Sequence, residues 1–597
     1  IEKPDGTRVR NLIADYPRQA GKNTDYWDGT DDDGNLVEPG EYRWRGLYRD
    51  ELDVLYQLSY GNPGTPPWRT HDRRGNWLSD HNRPVGAATD GEWVYLSAFD
   101  SERGSTLIGV DETGQRRWNI GRNPGGAITV LGKHVYMISG GFHRKWGRTH
   151  RGGKNLKEKG EIRLSRIDGR SGKYVAFKNG ENNLVVATYP NKRILPPPTF
   201  SGELVEKKAY NADSPRVEAF GLAAAGDKLY LSMHYENKII EIDPETGKAT
   251  GEIALTKPTG LAGDKQGKLY AISERHVMTL GENNTFRPVV TMGLKAPIGL
   301  ALDAAGNLYV SDWADQMCVK VFSPKGELLR EVGIKGGRPL EGKYDPNGMF
   351  LPWGMTVDGK NRLWVTEWDF TPKRVSVWDA ASGKLEREYI GPGYYGGTGN
   401  AVSLLNPNQA FTLNTIVDLD WDEGQWRVSG TLWRPTKANA FFGPKGSIIE
   451  TITHNGRELA VVLGKSGKFS ISELGPDGAR PLMARGTLSQ WAEWPLPEMI
   501  LKKMWDDPKM AKWAKKKYPW LFQNRYHYPF IMLKEMVTAA ERKGRPARTN
   551  FLWVDGNGDG LVDENELQLF SEDEAKGLNF NQNWRIGYDA DLTQYLY

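Results

Sequence analysis

A single cysteine, Cys318, among 597 residues rules out an intrachain disulfide, so the chain holds together without a covalent staple. Scarce cysteine mildly favours a reducing compartment, but a large β core has no need of disulfides. Cys318 sits in the apolar run Met317-Cys318-Val319 and reads as a buried, unreactive thiol. No apolar run approaches the ~18 residues of a membrane-spanning helix. Charge of one sign is also lacking. With 79 Lys and Arg against 75 Asp and Glu the formal net charge is +4, so no global field points to nucleic acid. There is no phosphate-cradling Gly-rich loop, no dinucleotide fingerprint and no nucleophile elbow. The chain opens on Ile1 rather than Met, from which loss of a leader or of a longer N-terminal region is expected.

Turn formers and aromatics are abundant: 69 Gly, 34 Pro, 22 Trp and 25 Tyr. They suit short strands joined by tight turns. Four segments share one pattern, beginning Gly221-Leu-Ala, Gly260-Leu-Ala, Gly299-Leu-Ala and Gly354-Met-Thr. Each continues through a polar turn into an apolar strand that holds Leu229-Tyr230, Leu269-Tyr270, Leu308-Tyr309 or Leu363-Trp364. A third strand and a second turn follow in most, as in Val319-Lys-Val-Phe-Ser-Pro-Lys-Gly326. The glycines are spaced by 39, 39 and 55 residues, the last interval holding an inserted loop between Lys335 and Gly348. Units of ~40 residues with a turn about every ten are the signature of propeller blades, and a helical solenoid would need a 3.6-residue period that is absent.

Two earlier units, from Pro84 and from Gly125, follow a looser version of the pattern. Segments 410–435 and 448–481 are candidates for two more, so six to eight blades are expected. The repeat resembles the NHL family of β-propellers between Pro84 and Gly391. That resemblance implies a fold and leaves activity open, since such propellers serve as scaffolds, binding platforms and lyases.

The first 50 residues read differently. Gly6-Thr-Arg-Val-Arg-Asn-Leu, Trp27-Asp-Gly-Thr-Asp-Asp-Asp-Gly-Asn and Val37-Glu-Pro-Gly-Glu-Tyr-Arg-Trp resemble the second half of an immunoglobulin-like domain, the type found in the flagellar hook-capping protein and on secreted bacterial enzymes. Asp28, Asp31, Asp32 and Asp33 read as the hairpin turn of that domain, with calcium binding as the alternative. Near the other end, Asp507-Pro508 opens a Lys-rich helix to about Lys517, and a second helix is expected from Pro529 to Lys543. The expected organisation is a mainly β chain: a partial immunoglobulin-like sandwich over 1–50, a linker over 51–83, propeller blades over 84–486, a small helical insertion carrying a calcium loop over 487–578, and closing strands over 579–597.

The calcium loop has a residue-by-residue case. An EF-hand-type loop needs oxygen ligands at positions 1, 3, 5, 7, 9 and 12 and a glycine at 6. Asp555, Asn557, Asp559, the Leu561 carbonyl, Asp563 and Glu566 supply the ligands, Gly560 the turn, and Val562 the apolar anchor. The leading residues Phe551-Leu-Trp-Val read as a strand, which resembles the solitary dockerin-type loops of secreted bacterial proteins. A lone loop is expected to hold Ca2+ as a clamp.

In a propeller, the loops leaving the second strand of each blade open on one face. Here they carry Phe99-Asp100, His234-Tyr235, Glu274-Arg275, Asp312-Trp313 and Glu367-Trp368-Asp369. Aromatic planes with carboxylates, a His and an Arg suit sugar stacking and acid–base work on a carbohydrate. In a catalytic version, elimination or hydrolysis, His234 or Tyr235 is the base, Arg275 neutralises a carboxylate, and Glu367 or Asp312 assists. Trp313, Trp368, Asp369, Glu274, His81 and Trp146 are the expected ligand contacts. His71 and His81 with Asp72 and Asp80 lack zinc spacing and read as a linker. The basic run from His143 to Lys159, holding Trp146, is one loop and not a basic face. The expected protein is an extracellular or surface-attached bacterial one. It binds, and in the catalytic version cleaves, a polysaccharide. The alternative is a structural or adhesion component that docks another extracellular protein or self-assembles through its incomplete N-terminal domain.

Overall fold

The computed structural model describes residues 1–50, 55–60, 77–79, 82–98, 101, 104–121, 125–140, 159–190, 219–339, 342–369, 372–391, 400–412, 415–431, 448–463, 469–475, 478–487, 550–558, 564–570, 586–588 and 594–596. The chain is mainly β. It divides into a unit of residues Ile1–Gln57 and a second of Leu58–Tyr597.

Short apolar strands punctuated by Gly, Asp and Asn turns fold into repeated four-stranded antiparallel sheets, the architecture of a β-propeller. Six such sheets lie among the described residues, within 84–121, 128–190, 219–254, 258–290, 297–332 and 352–390, each with its strands in chain order. They are called the first to the sixth sheet below. The inner strands Pro84–Thr89, Ile128–Leu131, Ala219–Ala225, Pro258–Gly263, Pro297–Leu302 and Pro352–Val357 pack each against the next, and the last against the first. At that junction Trp77 stacks on Tyr389 at 4.6 Å, Lys373 Nζ donates to the Ser79 carbonyl, and the Gly359 N–H donates to the Gly91 carbonyl at 2.8 Å.

The recurring Gly-Leu-Ala has a packing cause. Inner strands approach so closely that a Cβ on Gly260 would lie 2.7 Å from the Ile298 carbonyl of the next sheet, and one on Gly299 would overlap the Trp353 carbonyl. Only glycine fits. Each of these inner strands is bulged near its glycine. In the third, fifth and sixth sheets the N–H of that glycine is taken by a second-strand hydroxyl: Ser232 for Gly221 at 2.7 Å, Ser311 for Gly299 at 2.8 Å, Thr366 for Gly354 at 2.9 Å. The Ser of the Leu-Tyr-Val-Ser motif is therefore part of the frame.

The residues before Gly86, Gly221, Gly299 and Gly354 meet in one buried cluster in the middle of the circuit. Phe220 of the third sheet and Trp353 of the sixth stack there, 5.7 Å apart and 11° from parallel. Val85, Ile298, Trp313 and Trp368 complete an aromatic-rich plug, all of it buried.

Three expectations change in the later part. Residues 410–435 and 448–481 do not add four-stranded units to this circuit. The first contributes to a five-stranded sheet over 400–431, whose edge strand Gly342–Lys343 comes from the inserted loop. The second belongs to a six-stranded sheet running from Ile448 to Phe570. This sheet crosses the expected boundary at 486, because Gly478–Thr487 pairs with Asn550–Val554. The expected helices at 507–543 lie outside the described residues. Ile586–Tyr588 pairs with Gln594–Leu596 in a two-stranded ribbon, and the rest of 579–597 lies outside the described residues.

Among the described residues of the unit 1–57 no regular strand forms; isolated bridges join Glu2 to Arg8 and Arg43, and Thr30 to Leu36. Its acidic run behaves as a turn. Asp28 Oδ1 accepts from the Thr30 N–H at 3.0 Å and Asp31 Oδ1 from the Asn35 N–H at 2.8 Å. Burial pushes the Cys318 thiol up to about 12, in keeping with an unreactive core residue.

Candidate functional site

The second strand of each sheet ends beside the start of the first, so the loops that leave it gather on one face. Asp312 and Glu367 end their strands at the same place in the repeat and do the same job. Asp312 is fully buried, accepts the N–H groups of Lys295 at 3.0 Å and Ala296 at 2.6 Å, and pairs with Lys320 Nζ at 2.9 Å. Burial pushes its carboxyl up, against the pull of Lys320 and those N–H groups. Glu367, also fully buried, accepts the Phe350 N–H at 2.9 Å and lies between the Arg338 and Arg374 guanidiniums, 2.7 Å from Arg374 Nη1. Arg338 reaches on to Asp369 at 3.0 Å, and Arg374 to Glu388 at 2.7 Å. Each carboxylate thus caps the backbone leading into its own sheet and neutralises a cation on the next strand.

Trp313 and Trp368 belong to the plug. The Trp313 indole N–H donates to the Pro352 carbonyl at 2.5 Å, and the Arg83 guanidinium lies 4.8 Å over the Trp368 ring. His234 is buried too, its ring 5.1 Å from Phe220 and 4.7 Å from Tyr235. Its Nδ1 is 3.3 Å from the Pro258 carbonyl, and burial lowers its pKa to about 4, so the ring is neutral at ordinary pH. Nδ1 then donates to that carbonyl. Trp353, Phe220, His234 and Tyr235 form a continuous aromatic ladder from the plug to the rim, where Tyr235 is half-buried.

The accessible charged groups lie beside that rim, on the fourth sheet. Glu274 and Arg275 form the exposed turn of a tight hairpin between Leu269–Ser273 and His276–Leu280. Lys257 comes within 3.7 Å of Glu274, both side chains well exposed. The sequence reading passed over Lys257, which announces itself only by standing just before Pro258 at the head of a repeat strand. It also missed Arg338, which the inserted loop delivers from 29 residues away. A detectable signal did exist for the buried pairs: an acid at the end of one strand with a base across the hairpin, as in Glu367 opposite Arg374. Of the remaining expected contacts, His81 and Trp146 lie outside the described residues, as do His71, Asp72, Asp80, Phe99 and Asp100.

In the expected calcium loop, Asn550–Val554 and Leu567–Phe570 pair as antiparallel strands, so the loop is strand-flanked on both sides. Glu566 folds back over its start: Oε1 accepts the N–H groups of Gly556 at 2.7 Å and Asn557 at 3.0 Å. Asp555 Oδ1 accepts the Gly558 N–H at 2.8 Å. The first and last expected ligand positions are thereby brought to the same end of the loop, and Glu566 Oε2 also accepts the Trp553 indole N–H at 3.2 Å. Asp559, Leu561 and Asp563 lie outside the described residues. Among the described residues no cluster of three or more His, Cys, Asp or Glu converges.

The sheets define a β-propeller-type protein. No protein-family model matches the chain, and no curated protein matches it. Among solved structures it is similar to a streptogramin B lyase, at 13% identity and TM-score 0.31 over 53% of this chain and 85% of that one. It is also similar to a chain of a nidogen/laminin complex, at 16% identity and TM-score 0.30 over 52% and 93%. A Bacteroides thetaiotaomicron protein of unknown function is similar at 14% identity and TM-score 0.32 over 53% and 71%. At such scores these likenesses carry no argument about activity.

Proposed function

We propose that this is an extracellular, calcium-stabilised propeller of six blades that recognises a polysaccharide at the rim between its third and fourth sheets. The observation that carries the reading is the aromatic ladder, which ends in half-buried Tyr235 on the third-sheet loop whose His234 and Asn237 hold Pro258 and Lys257 of the fourth, where Lys257, Glu274 and Arg275 are accessible. A fixed aromatic plane flanked by charged hydrogen-bonding groups is the chemistry of sugar recognition, at little cost in ordering. Recognition is favoured over cleavage because four described groups that could do acid–base work on the face are engaged elsewhere or poorly suited to it. Asp312, Glu367 and Asp369 are tied in buried pairs, and a neutral His234 with pKa about 4 is a weak base at ordinary pH. The plug across the circuit argues for a ligand that lies on the rim and does not thread the centre.

Calcium, in this reading, is held by Asp555, Asn557, Asp559, the Leu561 carbonyl, Asp563 and Glu566, and fastens the hairpin at the edge of the six-stranded sheet. A lone loop filled at the high calcium levels outside cells suits that role.

Affinity electrophoresis of the intact protein through a panel of neutral and acidic polysaccharides tests the main reading. Retardation by at least one glycan that is lost in Tyr235→Ala is expected; migration unaffected by every polysaccharide overturns it. For calcium, a melting temperature lowered by chelator and restored by added Ca2+ is expected, and full stability in excess chelator removes that part.

The second reading, a structural or adhesion component, draws on Trp44, Leu47 and Tyr48, which stand almost fully exposed in the unit 1–57. Concentration-dependent oligomers in light scattering would favour it.

A further inference from the structure

We infer that the rim between the third and fourth sheets is a subsite for a carboxylate-bearing sugar unit, with Lys257 and Arg275 reading the carboxylate and Tyr235 carrying the face of the ring. This rests on the recognition function proposed above and adds the class of ligand and the residues that select it.

The geometry around Lys257 is built. Three consecutive residues have a backbone group held by three different side chains. The Thr256 carbonyl accepts Ser273 Oγ at 2.7 Å, the Lys257 N–H donates to Asn237 Oδ1 at 2.9 Å, and the Pro258 carbonyl faces His234 Nδ1 at 3.3 Å. Two of these side chains come from the loop of the third sheet and one from the hairpin of the fourth. The junction between the sheets is thereby fixed just where a cation emerges. Lys257 has a left-handed backbone, φ 42°. The matching residue before the proline of the sixth sheet, Leu351, has φ 49° but is buried in the plug. The conformation is shared by these two sheets and is absent at Ala296 before Pro297 and at Arg83 before Pro84. What is particular to the fourth sheet is that the position carries an exposed lysine.

Lys257 and Arg275 bring two cations to this rim, and Glu274 is the carboxylate that lies against Lys257. The Lys257–Glu274 contact of 3.7 Å is loose and well exposed, and such a pair holds little free energy in water. A carboxylate on a ligand can displace Glu274 from Lys257 while the next residue, Arg275, offers a planar fork of donors for bidentate pairing. Tyr235 stands on the buried His234 and supplies the apolar plane that a pyranose ring covers. A neutral sugar would use the plane and offer no carboxylate to Lys257 or Arg275.

The test compares polygalacturonate, its fully methyl-esterified form, neutral galactan and dextran sulfate on the wild type, Lys257→Gln, Arg275→Gln and Tyr235→Ala. Polygalacturonate is expected to bind at least about tenfold tighter than the ester, and each Gln variant is expected to lose about tenfold on the acid alone. Tyr235→Ala should weaken acid and ester alike. Equal binding of acid and ester, or Gln variants that leave the acid unaffected, overturns the inference while leaving the recognition reading intact. Dextran sulfate binding as tightly as polygalacturonate would reveal a bare electrostatic patch and also overturn it. Failure of every polysaccharide to bind overturns both.

Discussion

Two halves of one face use the same residue types for opposite ends. At the fifth and sixth sheets, carboxylates, cations and tryptophans are turned inward: Asp312 on Lys320, Glu367 between Arg338 and Arg374, Trp313 and Trp368 on Trp353. At the third and fourth sheets the corresponding loops leave Tyr235, Glu274, Arg275 and Lys257 toward solvent. The difference lies in what covers each half. The loop between the fifth and sixth sheets sends Arg338 down onto Glu367 and Asp369, and sends Gly342–Lys343 outward to pair with the five-stranded sheet. That loop makes core of Glu367 and Asp369, while Asp315 and Lys295 of the fifth sheet stay exposed. The hairpin at Glu274–Arg275 has two residues in its turn, both exposed.

If the inward half is framework, breaking it must unfold the protein before it touches binding. Glu367→Ala leaves two buried guanidiniums without their shared partner, and losing one side of a buried pair costs about 3–5 kcal/mol. The upper end of that range is expected, as a drop in denaturant midpoint. Asp312→Asn, which strands one lysine, should cost less. A stable Glu367→Ala variant that had lost only ligand binding would move Glu367 to the functional half.

The plug is next in size. Trp353 touches Phe220, Trp313 and Trp368 at ring separations of 5.0–5.7 Å. Trp353→Ala should cost about 3–5 kcal/mol, as for other buried large-to-small changes. Phe and Tyr replacements should recover most of it.

His234 belongs to both halves, and pH separates its two roles. Its folded-state pKa, about 4, lies below the ordinary value of 6.5. As pH falls, the unfolded chain takes up the proton first. The contribution of His234 to stability is whole above about pH 6.5 and declines as pH drops toward 4. Two and a half units correspond to roughly 3 kcal/mol. The measurement is the difference in unfolding free energy between wild type and His234→Phe from pH 7 to 4, which isolates this residue from the many carboxylates. A flat difference would mean an exposed imidazole, and the support beneath Tyr235 would be gone.

These distinctions bear on what the chain discloses by itself. The repeats were legible because their causes are local or periodic. A glycine is needed wherever inner strands nearly touch, and a Ser or Thr follows at a fixed distance to satisfy its N–H. The face was legible as a list of residues, since strand alternation and loop position follow from the repeat. Which of them look outward was not. That depends on Arg338, 29 residues from Glu367 along the chain, and on aromatic contacts between sheets three units apart, such as Phe220 with Trp353. The later sheets were misjudged for a related reason. Segment 448–481 has the length and turns of a blade, but its outer strand Gly478–Thr487 finds a further partner in Asn550–Val554, far along the chain.

The smallest stability effect is expected where the functional consequence is greatest. Arg275 is exposed and Lys257 makes only a loose pair with Glu274, so Arg275→Gln and Lys257→Gln should each change unfolding free energy by no more than about 0.5 kcal/mol. Glu274→Gln should be equally silent in stability. For binding, however, it removes the carboxylate that lies against Lys257, and affinity for an acidic glycan should rise, not fall. A Glu274→Gln variant that bound less well would mean that Glu274 itself contacts the sugar, with its carboxylate accepting hydroxyl donors. Opposite signs for Glu274 and Arg275, at unchanged melting temperature, are what an outward half selecting anionic sugars requires, and no rearrangement of the buried half would produce them.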